Sequence, residues 1–83
     1  MAIYELWIEC SEDRKYHARY ERFPTEKGDS SYSTKALDSQ LEAAQELRAY
    51  VRNLAVPGDY FRVRGRTNVY EHINDALEDI LRQ

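Results

Sequence analysis

The stretch from Asp38 to Leu54 sets the terms for the rest of the chain. Leu41, Ala44, Leu47, Val51 and Leu54 recur at steps of three and four residues, which places them on one face of an α-helix. Asp38 or Ser39 supplies the cap, and Ser39 with Glu42 has the spacing of a capping box. Pro57-Gly58 forbids continuation. A helix of this length is marginal in water by itself, so its apolar face needs a cover. The flanking segments must provide it.

Those segments alternate like strands. From Ala2 to Cys10, Tyr4, Leu6, Ile8 and Cys10 point one way, while Ile3, Glu5, Trp7 and Glu9 point the other. Ser11-Glu12-Asp13-Arg14 is a polar turn. From Lys15 to Phe23, Tyr16, Ala18 and Tyr20 share one face, and His17, Arg19 and Glu21 share the other; Pro24 ends the run. Thr25 to Ser30 reads as a loop with Lys27-Gly28-Asp29 at its tip. A short third strand is expected over Ser31 to Leu37, with Tyr32, Thr34 and Ala36 on one face. Tyr60 to Arg66 reads as another strand: Phe61 and Val63 inward, Arg62, Arg64 and Arg66 outward, and Gly65 at its end or in a bulge. Thr67 or Asn68 then caps a second helix with Val69, Ile73, Ala76, Leu77 and Ile80 as its stripe. The order β-β-(β)-α-β-α predicts an α+β two-layer sandwich, a mostly antiparallel sheet of three or four strands under two amphipathic helices. The expected core is Leu6, Ile8, Leu41, Leu47, Val51, Val63, Ile73 and Leu77.

With 83 residues there is one domain, spanning residues 1–83. A chain of this size buries about 60–65% of its unfolded surface, too little for a deep pocket with a full catalytic apparatus. The single cysteine, Cys10, excludes an internal disulfide and fits a reducing cytoplasm. No basic-then-apolar N-terminus and no long apolar run are present, so neither a signal peptide nor a membrane span is expected. Two histidines, His17 and His72, and one cysteine do not reach a zinc-binding spacing, and no glycine-rich loop cradles a phosphate. No serine sits in a nucleophile elbow. The carboxylate neighbours Glu12-Asp13 and Glu78-Asp79 read as solvated surface, since adjacent helix positions do not face each other. The expectation is a chain without catalysis, metal or cofactor.

Charge segregates more informatively. The second helix carries Glu71, Asp75, Glu78 and Asp79 against Arg82 alone, whereas the strand segments are neutral to basic. An acidic helix face suits a basic partner surface, although a charged, solvated helix exterior is the simpler explanation of the second helix taken alone. The outer sheet face presents Trp7, His17, Arg19, Arg62, Arg64 and Arg66, with Ile3 nearby. Arginine and tryptophan are the residues of binding hot spots and of single-stranded nucleic-acid platforms. Cross-strand pairs of Glu5 or Glu21 with these arginines would instead neutralise the patch. The net charge of −3 gives no general attraction to nucleic acid or to anionic membrane. Seven tyrosines add rigid contact area of the kind protein partners use: Tyr16 and Tyr20 toward the core, Tyr32 and Tyr60 near loops, Tyr50 and Tyr70 flanking the helix stripes.

In size, strand-then-helix order and tyrosine content the chain resembles the small phage-encoded anti-CRISPR proteins. The Tyr4–Ile8 and Tyr16–Tyr20 hairpin, the Asp38-Ser39 cap and the terminal helix from Tyr70 to Leu81 carry this likeness, which is architectural. It implies stoichiometric binding to a CRISPR surveillance complex or nuclease in the host cytoplasm, without catalysis. The β-β-β-α opening, with its first strand ending near Glu9, is also similar to the HicB-type antitoxins. Phe23-Pro24-Thr25-Glu26-Lys27 departs from that family's Pro-Asp-Leu-Pro-Gly-like segment.

Two functions are thus carried forward. One is a protein-binding inhibitor or regulator using either the acidic helix face or the sheet face, as monomer or homodimer. The other is a nucleic-acid-binding regulator using the arginines of the sheet.

Overall fold

A computed structural model describes residues 2–23 and 30–82. The chain forms β1 (Ile3–Cys10), β2 (Tyr16–Phe23), β3 (Ser31–Ser33), α1 (Gln40–Arg52), β4 (Tyr60–Val63), β5 (Val69–Tyr70) and α2 (Ile73–Leu81). The fold is α+β, with both helices packed on one face of a mixed sheet of order β3-β2-β1-β4-β5. Among the described residues the sheet has five strands, against the three or four expected from the sequence. Its central pair, β1 with β4, is parallel; the other pairs are antiparallel. A parallel neighbour requires a crossover, and α1 is that crossover.

The hairpin turn closes with Ser11 N–H donating to the Lys15 carbonyl at 2.8 Å, and Arg14 occupies the left-handed region at φ 61°. The third strand is shorter than expected. Its ladder stops at Thr34, whose buried hydroxyl accepts the Ala18 N–H at 3.0 Å in place of a backbone carbonyl. Pairing returns only as a bridge between Tyr16 and Leu37. The proposed loop tip Lys27-Gly28-Asp29 lies outside the described residues.

Ser39 caps α1, accepting the Glu42 N–H at 3.1 Å. After α1, Asp59 fixes the way into β4. Its buried carboxylate accepts the Ala2 N–H at 2.9 Å and the Val56 N–H at 3.0 Å, tying the start of β1 to the turn before β4. Tyr60 N–H then donates to the Ala2 carbonyl, which opens the parallel ladder.

The core joins Tyr4, Leu6, Ala18, Tyr20, Phe61 and Val63 of the sheet to Ala43, Ala44, Leu47 and Val51 of α1 and Ala76, Leu77 and Ile80 of α2. Tyr4 stacks on Phe61 and meets Tyr20 edge-on, with centroids 5.4 and 5.3 Å apart. Ile8 and Ile73 pack at its margin. Leu41 does not belong to it: at 54% exposure it lies on the flank of α1, and Ala43 takes the inward position. Cys10, expected inward, is exposed where β1 ends.

The second helix also starts later than expected. Val69 and Tyr70 pair with Arg62 and Phe61 of β4 and form β5, since β-branched and aromatic residues suit the open edge of that strand. Thr67 and Asn68 belong to the preceding turn; His72 holds the N-cap position of α2 without a side-chain cap.

Candidate interaction surface

With both helices on one face, the other face of the sheet is open. Strand register orders its side chains in rows. Phe23, Ile3 and Tyr60 lie side by side at one end. Glu21, Glu5, Arg62 and Val69 form the next row, with Ser31 beyond Glu21. Arg19 and Trp7 follow, with Ser33 on the β3 side. Phe23 and Val69 are 41% and 49% exposed, so the face offers apolar contact area at two corners.

The middle is held by charge pairs. Glu5, with a side chain only 16% exposed, accepts Arg62 Nη2 at 2.6 Å and Arg64 Nε at 2.7 Å. Arg64 Nη2 reaches Glu21 at 3.3 Å. The Arg64 guanidinium also lies 3.4 Å from the ring centre of Trp7, so the arginine clasps the indole while bound to two carboxylates. Trp7 Nε1 donates to Glu9 at 2.9 Å, and Arg19 pairs with the other Glu9 oxygen at 3.3 Å. The hydrogen bond from Arg64 holds the Glu5 carboxyl below its usual value against the opposing effect of burial, and Arg62 adds to this. Glu5 in turn raises Arg64. Three arginines and three glutamates therefore interlock, and the patch carries no excess positive charge.

Arg66 is not part of this face. Past Gly65, at φ 85°, the chain turns, and Arg66 Nη1 approaches Asp79 of α2 at 3.6 Å. Asp79 also accepts the Tyr70 hydroxyl at 3.1 Å, and its side chain is 13% exposed. The two residues expected on opposite surfaces thus form one staple between α2 and the β4–β5 turn. Of the acidic residues expected on the second helix, Asp75 and Glu78 are exposed on α2 and Glu71 is exposed just before its N-cap, while Glu78 pairs with Arg82 at 3.5 Å.

His17 lies on the outer face with Nδ1 2.9 Å from the Thr34 carbonyl, and His72 is exposed. Among the described residues no group of three or more histidine, cysteine or carboxylate side chains is placed to hold a metal ion. Among the described residues no helix is long and apolar enough to cross a membrane.

Neither the Asp59 clasp nor the Arg64–Trp7 stack is legible in the sequence. Both depend on β4 lying beside β1, a pairing across nearly 60 residues. No protein-family model, curated protein or solved structure matches the chain.

Proposed function

We propose that this chain is a non-enzymatic protein-binding module, an inhibitor or regulator that acts by occupying a partner's surface through its open sheet face. One observation carries the reading: the arginines of that face are already bound to Glu5, Glu9 and Glu21, around a tryptophan clasped by Arg64. A nucleic acid would have to break these pairs to gain phosphate contacts, and the face has no surplus charge to drive it. A protein partner loses nothing by leaving them intact. Neutralised arginines, a tryptophan and exposed apolar corners are the composition of an interface centre with its rim. In the anti-CRISPR-like form suggested by the chain's architecture, the partner is a nucleic-acid-handling complex and inhibition saturates near one chain per site.

A gel-shift titration with single- and double-stranded DNA and RNA at low salt tests the choice of partner. No shift is expected. Binding at or below the micromolar range that is lost in an Arg62/Arg64→Ala variant would replace this reading with the nucleic-acid regulator.

A further inference from the structure

The sheet ends on one side in β3, and the ladder shows which of that strand's backbone groups are in use. Arg22 N–H donates to the Ser30 carbonyl at 2.7 Å, and Thr34 N–H donates to the Ala18 carbonyl at 2.9 Å. Bonded rows of an antiparallel pair alternate, so Tyr32 opposite Tyr20 is the bonded row between them. The N–H and C=O groups of Ser31 and Ser33 therefore point away from β2. Among the described residues they have no partner, and both serines are exposed. Their side chains lie on the open face, Ser31 in the row of Glu21 and Ser33 in the row of Arg19 and Trp7. A trough of about 250 Å³ lies there over β2, lined by Trp7, Arg19, Glu21, Ser31 and Ser33. The opposite edge, β5, has two residues, and its Tyr70 hydroxyl is tied to Asp79.

We infer that β3 is a docking edge for an extended segment of the protein partner, which adds a strand to the sheet and lays one large uncharged side chain in the trough against Trp7. This rests on the reading of the open face as a protein-binding surface and specifies how the partner engages it. Strand addition divides the work: main-chain bonds to Ser31 and Ser33 hold the segment, and a pocket beside the edge selects a side chain. Residues of the added strand level with Ser31 and Ser33 turn their side chains to the open face. Serine is short, so a large side chain there leans over β3 into the trough. Charge defines its chemistry. Arg19 is already paired with Glu9, and Glu21 with Arg64. A charged side chain would lose water without gaining an unpaired counter-ion, whereas an aromatic or long aliphatic one buries apolar area against the indole. A second copy of the chain does not suit the site. Pairing β3 with its symmetry mate would present only Ser31 and Ser33 again, and these are too short to fill the trough.

Selection from a random peptide library displayed on phage, with the full chain as bait, tests it. The recovered peptides are expected to share a Phe, Tyr, Trp, Leu or Met within an extended, proline-free stretch. Affinity of a recovered peptide, read by fluorescence anisotropy of a dye on the peptide, should fall roughly tenfold or more with Ser33→Pro and with Trp7→Ala, and stay unchanged with Asp75→Lys. Ser33→Pro removes an outward N–H and no bond of the ladder, and cooperative melting shows that each variant folds. In the wild-type complex, amide exchange at Ser31 and Ser33 should slow, a readout that needs no variant. A selection without binders, unchanged exchange at both serines, or full affinity in Ser33→Pro would overturn the inference. If Ser33→Pro binds fully while Trp7→Ala does not, the edge is wrong and the open face still binds protein. Full affinity in both variants would count against the open-face reading as well.

Discussion

Glu5 is the residue on which the open face depends. Its carboxylate receives two guanidinium groups, and its folded pKa lies below the ordinary 4.5. A lowered carboxylate contributes stability that is present above the unfolded value and lost as pH falls through the folded one. Stability from this pair should therefore decline below pH 4.5. Glu5→Gln keeps the shape and removes the charge; it is expected to cost about 1 kcal/mol at neutral pH, since Arg64 is partly solvated, and to flatten the acid limb of thermal melts followed against pH. An acid limb identical to the wild type would show that the pair is energetically idle. Tyr4 makes the opposite case. Its ring is fully buried, and among the described residues its hydroxyl has no hydrogen-bond partner. Tyr4→Phe should leave the melting midpoint unchanged or raise it, by up to about 1 kcal/mol of stability; a clear loss would mean that the hydroxyl is satisfied after all. At this scale the sequence already showed glutamates positioned to neutralise the arginines, because alternation assigns faces. It could not show which arginine covers Trp7, because alternation does not say which strands are neighbours.

Among the elements, α1 was the most legible, since its cap and its stripe are local patterns. Leu47 is fully buried, and Leu47→Ala should cost about 2–5 kcal/mol in denaturant unfolding. Leu41→Ala should cost no more than about 0.5 kcal/mol, because Leu41 lies off the core. The periodic stripe misplaced Leu41 because large apolar residues dominate such a pattern, whereas Ala43 and Ala44, both buried, allow the helix to sit close to the sheet. Asp59→Ala removes the acceptor for two backbone N–H groups and is expected to cost about 1–3 kcal/mol by the same measurement. The start of α2 is ambiguous in the sequence for a related reason: Val69 fits a helical stripe and a strand equally well, and the free edge of β4 decides between them.

At the scale of the molecule, the two-layer α+β architecture followed from the order of patterns, whereas the strand order and the parallel central pair did not. Hydrophobic periodicity fixes which face of a strand is buried and is silent about its neighbour. That gap separates the arginine-rich face expected from the alternation from the neutral, interlocked face in the structure, and it moved Arg66 and Asp79 out of the candidate surfaces altogether. What remains is one open face centred on Trp7 and one acidic strip of Glu71, Asp75 and Glu78. Affinity capture from native host extract, quantified by mass spectrometry, decides between them when wild type is compared with Trp7→Ala and Asp75→Lys, each first shown to melt cooperatively. The expected result is a protein partner retained near one-to-one by the wild type and by Asp75→Lys, and lost with Trp7→Ala. A partner that survives Trp7→Ala but is lost with Asp75→Lys would place the binding surface on the helices and contradict the account.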